Sequence, residues 1–246
     1  MLNNELSKLN ITINASERVF VDTLSYYEKL NTFLSNASSA DLEMLYNYAP
    51  IHNLFFLLEH VSKEVRKKYL DEQGRAIKLD RDWDECYNLL RKNIPEVIDY
   101  LYVNSTSTVD YRKEVFNMAE IIRETFNATI YKADWMNNSK GVLEEKLKSM
   151  TLGIGFPDNI LNTTYLNGLY EHVPIFSANT TLFEMLYSFE QNHYWKQLAL
   201  LREPRHNDRW LKNAIDVVAF YSPTNNRIEI PWAILHPPFF RPGLPR

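Results

Sequence analysis

The sequence has few of the residues that build nucleotide sites and sites of covalent catalysis. Only 6 of its 246 residues are glycine, and none forms a glycine-rich phosphate loop, so nucleotide binding has no support. Cys86 is the single cysteine, and by itself it offers no Cys/His arrangement for nucleophilic catalysis. No serine stands in a G-x-S-x-G elbow. The sequence therefore predicts no catalytic residue in any of these classes.

A surplus of positive charge and a long apolar run are also missing. The formal net charge is −4, whereas nucleic-acid binding requires clustered Lys and Arg, so we predict no nucleic-acid partner. No run of about eighteen apolar residues occurs, so we predict no membrane span within this chain. Residues Met1 to Leu6 lack the basic and apolar regions of a signal peptide.

Histidines with metal-ligand spacing are missing as well. An H-E-x-x-H motif places two histidines four residues apart on one helix face, and no two histidines of this chain have that spacing. Glu190 and His193 have the spacing of carboxylate-bridged metal sites, but such sites need further ligands from other helices. A solvated polar face is the simpler interpretation. We therefore predict no metal site and no cofactor in this chain.

Helical periodicity dominates what is present. The composition is 45% hydrophobic, which is enough for the core of one or two ordinary domains. Apolar residues recur every three to four positions through most of the chain, so we predict a mainly α protein. The predicted helices run from Ser16 to Leu34, from Ser38 to Tyr69 with a kink at Pro50, from Trp83 to Val103 with a bend at Pro95, from Asp110 to Tyr131, from Lys140 to Leu152, and from Thr181 to Leu201.

Local signals mark several helix ends. Residues Ser38 to Asp41 and Thr181 to Glu184 have the pattern of capping boxes, in which an N-cap hydroxyl and an acid three residues later satisfy each other's N–H groups. Gly153 suits the position after a helix C-terminus, because glycine adopts a positive φ at low cost. The sequence therefore predicts a helix end at Gly153.

A β hairpin is predicted near the C-terminus. Two β-favouring runs, Val217 to Tyr221 and Arg227 to Ile230, flank a proline and two asparagines, which suit a turn. Pro231 and two later prolines lack the donor N–H of a ladder residue. We therefore expect these prolines to prevent the second strand from continuing as a central ladder strand, and the hairpin to lie at a sheet edge.

From Val217 to Phe240 the sequence is V-V-A-F-Y-S-P-T-N-N-R-I-E-I-P-W-A-I-L-H-P-P-F-F. This segment resembles a block of the neprilysin and endothelin-converting-enzyme family of zinc metallopeptidases. Members carry a block close to V-N-A-F-Y-x-P-x-x-N-x-I-x-F-P-A-G-I-L-Q-P-P-F-F, which this chain matches without a gap. The matching residues are Val217, Ala219, Phe220, Tyr221, Pro223, Asn226, Ile228, Pro231, Ile234, Leu235, Pro237, Pro238, Phe239 and Phe240.

The resemblance extends upstream over most of the chain. Asp134 to Asn137 is similar to a W-M-D motif of the family, Glu145-Lys146 to its E-K, and Ile154 to Asp158 to its I-G-Y-P-D. By resemblance, residues 1–205 form part of the helical lobe that restricts a peptidase chamber to small peptides. Residues 206–246 then form a linker and the hairpin that begins the catalytic domain.

The resemblance implies a zinc metalloendopeptidase that acts on small peptides, with zinc held by a downstream catalytic segment that this chain does not contain. We therefore interpret the chain as a fragment of such an enzyme, without catalytic or metal-binding residues of its own. The alternative is a catalytically inactive, secreted binding or interaction module derived from the family. Both hypotheses predict a peptide substrate or ligand as the partner.

Three residues are predicted to bind substrate by resemblance: Val218, Ala219 and Phe220. The family has an Asn-Ala pair on an edge strand that contacts the substrate backbone, and Val218 stands at the Asn position. Valine can neither donate nor accept the hydrogen bond of that amide. Trp232 stands where the family has alanine, and it needs space that the family's packing does not obviously provide.

Asn-x-Ser/Thr sequons are more frequent than chance predicts, since roughly two or three are expected against eight present. This excess predicts an extracellular protein or a membrane ectodomain, although incidental matches in an Asn-rich sequence remain the alternative. The candidate glycosylation sites are Asn10, Asn14, Asn36, Asn104, Asn127, Asn137, Asn162 and Asn179.

Cys86 is a disulfide candidate by resemblance. The family's cysteine at this position pairs with one nearer the N-terminus, in a segment that this chain does not contain. A small buried hydrophobe is an equally good interpretation of Cys86.

Overall fold

A computed structural model of the chain describes residues 6–18, 21–55, 58, 62–72, 83–107, 111–203 and 209–243. The fold is mainly α-helical with a small β-sheet, as the periodicity predicts. Short 3₁₀ helices cover Ser7–Leu9, Asp134–Ser139, Asp158–Leu161, Leu200–Arg202 and Trp232–Leu235. The α-helices are α1 (Leu24–Asn36), α2 (Ser39–Phe55), α3 (Lys63–Glu72), α4 (Trp83–Asn93), α5 (Pro95–Thr106), α6 (Arg112–Lys132), α7 (Lys140–Lys148), α8 (Thr163–Leu169) and α9 (Leu182–Ala199).

Both capping boxes are confirmed. Before α2, the Ser38 N–H donates to Asp41 Oδ2 at 2.9 Å and the Asp41 N–H donates to Ser38 Oγ at 3.2 Å. Before α9, the Thr181 N–H donates to Glu184 Oε2 at 2.8 Å, and the Glu184 N–H donates to Thr181 Oγ1 at 3.3 Å. These bonds satisfy N–H groups that have no partner inside the helix. The Ser38 hydroxyl and N–H lower the pKa of Asp41, and the Thr181 N–H and hydroxyl lower the pKa of Glu184.

Several predicted helix bounds are wrong. The first helix begins at Leu24 instead of Ser16, and α2 ends at Phe55, before α3 begins at Lys63. Pro95 divides the predicted Trp83–Val103 helix, because it opens α5 at the first turn, where a missing N–H is tolerated. Pro50 lies inside α2. The described residues include neither the predicted domain boundary at 205/206 nor the residues Asp110, His60 and His206.

The predicted helix end at Gly153 is also wrong. Helix α7 ends at Lys148, and Thr151–Gly155 forms the first strand, β1. The strand exists because it pairs in parallel with β3 (Arg227–Pro231), from Thr151 opposite Arg227 to Gly155 opposite Pro231. A distant pairing thus overrides the local helical pattern.

The predicted hairpin is present. Strand β2 (Phe220–Ser222) pairs antiparallel with β3, with Phe220 opposite Glu229 and Ser222 opposite Arg227. The sheet order is β1-β3-β2, so the hairpin lies at one edge of the sheet through β2, as expected, while β3 is the central strand as far as Pro231. Pro231 is the last residue of β3, where the missing donor interrupts no later ladder bond.

The chain divides into two compact units. The first comprises Met1–Cys86 and Phe176–Tyr187, and the second comprises Tyr87–Ile175 and Ser188–Arg246. Buried apolar residues of the first unit are Leu6, Ile11, Leu70 and Leu186. The core of the second unit contains Val103, Val115, Phe156, Ile160, Leu166, Ala214, Trp232 and Leu235. None of the described helices is long and apolar enough to cross a membrane.

Trp232 lies at the centre of the second unit's core and is fully buried. Its ring stacks on Tyr111 at a centroid distance of 4.8 Å and meets Phe156 edge-on at 5.4 Å. Its indole N–H donates to Thr106 Oγ1 at 2.9 Å, which satisfies its buried polar atom. This fold therefore provides the space that a tryptophan needs at this position.

Candidate functional site

The sheet leaves one edge of β2 without a neighbouring strand among the described residues, since the order is β1-β3-β2. The three predicted substrate-binding residues lie at the entry to this edge. Val218 is half-buried, Ala219 is exposed, and Phe220 is the first residue of β2. An unpaired edge presents main-chain N–H and C=O groups to which an extended peptide can add as a further strand.

The loop before this edge is held by carboxylates, which accept from five consecutive amides, those of residues 211–215. Glu229 on β3 accepts from the Leu211 N–H at 3.0 and 3.1 Å and from the Lys212 N–H at 3.2 Å. Each of these amides would be costly to leave unpaired in the interior. Glu229 therefore fixes the first part of the loop to the central strand.

The second part of the loop is fixed by two aspartates. Asp216 accepts from the Asn213 N–H at 2.9 Å. Asp99 on α5 accepts from the Ala214 N–H at 2.8 Å and from the Ile215 N–H at 3.2 Å. The chain is thus anchored immediately before Val218, so its path into the edge strand is set by side chains of α5 and β3.

Glu229 is neutralised by an arginine on its own strand. Arg227 Nε donates to Glu229 Oε1 at 2.9 Å, and the two side chains are 4% and 0% exposed. Residues two apart on a strand share one face, and this face is the buried one in β3. Because every acceptor bond of the carboxylate is to an N–H group, the cost of burying the charge is offset.

The pKa of Asp99 is raised by its surroundings. Its side chain is buried, and burial is the main cause that raises its pKa to about 6. The two loop N–H bonds lower the pKa, whereas the nearby carboxylates Asp216 and Glu96 raise it. Asp216 itself is paired with Arg91. Among the described residues, Asp99 has no cation within ion-pair distance, so the loop amides are its stabilising partners.

A second carboxylate of α5, that of the half-buried Glu96, has a different environment. Burial acts to raise the pKa of Glu96, but the Tyr170 hydroxyl, which donates to it at 2.6 Å, and the Lys196 ammonium at 3.1 Å together lower it. Burial and the bond to Glu96 raise the pKa of Tyr170. These contacts join α5, the end of α8 and α9 in one polar network.

Asn226 anchors the turn of the hairpin. It adopts a positive φ of 46°, which asparagine tolerates better than most residues. Its Nδ2 donates to the Lys146 carbonyl at 2.7 Å and to Ser149 Oγ at 2.9 Å, while the Tyr221 hydroxyl donates to its Oδ1 at 2.9 Å. Asn226 therefore links β2 to the end of α7.

The described residues contain no group of three or more His, Cys, Asp and Glu side chains placed to hold a metal ion. His236 has a packing role instead. Its Nδ1 lies 2.9 Å from the Trp232 carbonyl oxygen, and its ring meets the Trp232 ring edge-on at 5.2 Å.

The predicted modification sites lie mostly on the surface. Cys86 is exposed on α4, which is contrary to its interpretation as a small buried hydrophobe. Asn137 lies in the 3₁₀ helix Asp134–Ser139, and its side chain is outside the described parts of the chain. The exposed sequon asparagines are Asn10, Asn14, Asn36, Asn104, Asn127, Asn162 and Asn179.

Three residues that shape this site were not predicted from the sequence: Asp99, Arg227 and Glu229. In the segment R-I-E-I-P, alternation favours a strand whose charged face is exposed, whereas the structure buries that face. The opposite charges of Arg227 and Glu229 could have indicated an ion pair, because residues two apart on a strand lie on one face. Asp99 offered no signal of its own, since its partners are backbone amides far along the chain.

Comparison with known proteins gives a consistent result. The family model described as Peptidase family M13 matches residues 2–157. Human neprilysin is 31% identical over 240 residues, which are 97% of this chain and 32% of the relative. The endothelin-converting enzyme homolog of Locusta migratoria is 26% identical over 249 residues, 99% of this chain and 34% of the relative. The chain thus spans about a third of the length of these curated relatives.

The fold also matches a solved structure. The zinc metalloprotease ZMP1 of Mycobacterium tuberculosis in its open state superposes with a TM-score of 0.68 at 22% identity. The match covers 87% of this chain and 32% of that one.

Proposed function

Because the chain belongs to peptidase family M13, we propose that it supplies the peptide-binding edge and part of the helical lobe of a neprilysin-like metalloendopeptidase acting on small peptides. The observation that carries the proposal is the edge of β2 that no described strand covers, entered through Val218, Ala219 and Phe220. A peptide lying along this edge pairs its main-chain groups with those of the strand, while side chains around the edge set its preference.

The residues that the structure describes do not fit the zinc site of the family. The sequence has no H-E-x-x-H motif, and the described residues form no cluster that could hold a metal. We therefore derive no catalytic step from them. Zinc in such enzymes polarises the scissile carbonyl and activates water, and the contribution of this chain is to bind and orient the peptide.

A second candidate function is a catalytically inactive, secreted module that binds peptides. Val218 is the observation behind it, because a valine departs from the family's pattern and cannot supply the asparagine's hydrogen bond to a bound substrate. Such a loss costs about 1–3 kcal/mol.

Binding at the edge is tested with the chain as it is. A fluorescein-labelled, extended peptide is titrated and its anisotropy measured, while amide chemical shifts locate the contact. Two N-methylated versions are compared, because alternate N–H groups of a strand point to opposite sides. We expect one version to lose binding and the other to keep it, with shifts at Val217–Ser222. Equal effects of both methylation patterns would refute main-chain pairing.

The two candidates are separated with a chimera in which the catalytic segment of an active relative follows this chain. Peptide cleavage by the chimera supports the peptidase, whereas binding without cleavage supports the inactive module. In an active chimera we expect Val218→Asn to raise kcat/KM about tenfold. The matched control is Val217→Asn, since Val217 is 60% exposed and its substitution leaves the edge unchanged.

The sequons support an extracellular location. Seven sequon asparagines are exposed, as glycan attachment requires. Asn162 caps α8 by accepting from the N–H groups of Thr164 and Tyr165 through Oδ1, and attachment at Nδ2 leaves this cap intact. Expression through a secretory pathway behind an added leader is expected to give a mobility shift that glycosidase reverses. An unshifted secreted protein would refute glycosylation.

A further inference from the structure

Two lysines flank the edge strand. Lys212 Nζ lies 5.7 Å from the centroid of the Phe220 ring, and Lys146 Nζ lies 5.9 Å from the centroid of the Tyr221 ring. These distances allow attraction between each ammonium and the ring face. Phe220 and Tyr221 are consecutive residues of β2, so their side chains point to opposite faces of the sheet. One positive charge therefore stands on each face, over the edge strand.

Neither charge is neutralised within the part of the chain that the structure describes. Both lysines are exposed, and neither has a described carboxylate within ion-pair distance. Three carboxylates hold the loop: Glu229 binds Arg227 and two amides, Asp216 binds Arg91 and one amide, and the buried Asp99 binds two amides. The edge is thus positively charged in a chain whose net charge is −4.

We propose that the β2 edge selects acidic peptides, with Lys212 and Lys146 each binding a carboxylate on two consecutive residues of the added strand. This inference rests on the proposed peptide-binding function. A residue directly opposite Phe220 in an added strand shares its face, so its side chain meets Lys212. The next residue opposite Tyr221 points to the other face and meets Lys146.

The expected preference is moderate and sensitive to salt. Exposed ion pairs contribute little individually, so two of them are expected to lower the Kd of a peptide about fivefold relative to its neutral counterpart. Raising the ionic strength to about 1 M shortens the screening length to about 3 Å and is expected to remove most of the difference.

The test uses three labelled peptides that differ only at two adjacent central positions, which are Glu-Glu, Gln-Gln or Lys-Lys. The pair is moved one residue at a time along the host peptide, because the binding register is not fixed in advance. Anisotropy titrations at low and high salt give the Kd values. We expect the order Glu-Glu, Gln-Gln, Lys-Lys from tightest to weakest in at least one register.

Variants assign the preference to the two lysines. Lys212→Gln and Lys146→Gln are each expected to remove part of the Glu-Glu preference, and the double variant to remove all of it. Lys148→Gln is the matched control, because Lys148 is an exposed lysine of the same helix as Lys146 and has no described ring contact. It is expected to keep the full preference.

A charge reversal gives a readout that a structural role would not produce. The double variant Lys212→Glu/Lys146→Glu is expected to prefer the Lys-Lys peptide. Equal affinity of all three peptides in every register would overturn the acidic preference while leaving edge binding intact. Failure of every peptide to bind would instead refute the peptide-binding function itself.

Discussion

The guanidinium of Arg227 lies directly over Gly153. A Cβ added at Gly153 would stand 2.4 Å from Arg227 Nη2 and 2.9 Å from its Cζ, closer than packed atoms approach. Glycine is needed here for the space above β1, because the side chain of Arg227 is buried and bonded to Glu229 and cannot move outward without breaking that pair.

We therefore expect Gly153→Ala to destabilise the second unit by about 2 kcal/mol, measured as the free energy of unfolding in urea. Gly141→Ala is the control, because no atom lies within 4 Å of its added Cβ and alanine favours a helix by about 1 kcal/mol over glycine. The control is expected to be neutral or stabilising. A Gly153→Ala protein as stable as the parent would show that Arg227 has another low-energy position.

The Arg227–Glu229 pair is expected to be strongly coupled. Arg227→Met or Glu229→Gln alone leaves one charge buried without its partner, at a cost of about 3 kcal/mol. The double substitution removes both charges and keeps a carbonyl acceptor for the loop amides, so it is expected to cost less than the two single substitutions together by at least about 1 kcal/mol.

The control cycle uses Glu120 and Arg123, which pair at 3.2 Å on the more exposed surface of α6. Arg123→Met and Glu120→Gln are expected to couple by less than about 0.5 kcal/mol. Coupling of similar size in both cycles would contradict the burial of the Arg227–Glu229 charges.

Asp99 is expected to make stability depend on pH. Its folded pKa of about 6 exceeds the value of 3.8 for an unperturbed aspartate, so the folded state binds the proton more tightly than the unfolded state does. Its contribution to stability is therefore complete below about pH 3.8 and is lost as the pH rises through 6. Between pH 4 and pH 7 the parent is expected to lose up to about 3 kcal/mol relative to Asp99→Asn.

The measurement is chemical unfolding of both proteins across that range. Asp71→Asn, at an exposed position of α3, controls for the removal of one negative charge. Parallel profiles for the parent and Asp99→Asn would mean that the loop amides offset the burial of Asp99 completely.

Local determinants explain what the sequence predicted well. The capping boxes at Ser38 and Thr181 were predictable because both partners of each lie within four residues of one another. The hairpin was predictable for the same reason, since Asn226 and the neighbouring proline encode its turn. Its register with respect to β1 was not, because that depends on a pairing between distant segments.

Long-range partners explain what the sequence could not predict. Gly153 followed a helical pattern, and only pairing with β3 makes its segment a strand. In the sequence, Asp99 resembles an ordinary acid on a helix surface, and only the structure shows that it accepts a hydrogen bond from the Ala214 N–H. Val218, Ala219 and Phe220 were predicted by resemblance, while the carboxylates that hold the loop before them became evident only from the structure.

Trp232 provides a test of whether this core is adapted to its tryptophan. It is fully buried against Tyr111 and Phe156, so Trp232→Ala, which installs the residue of the resembling pattern, is expected to leave a cavity and to cost about 3–5 kcal/mol. Trp232→Phe keeps the ring packing but leaves Thr106 Oγ1 without its donor, and is expected to cost less. Urea unfolding with near-ultraviolet circular dichroism measures both. If Trp232→Ala were as stable as the parent, the core would have closed around the smaller side chain, and the tryptophan would be replaceable.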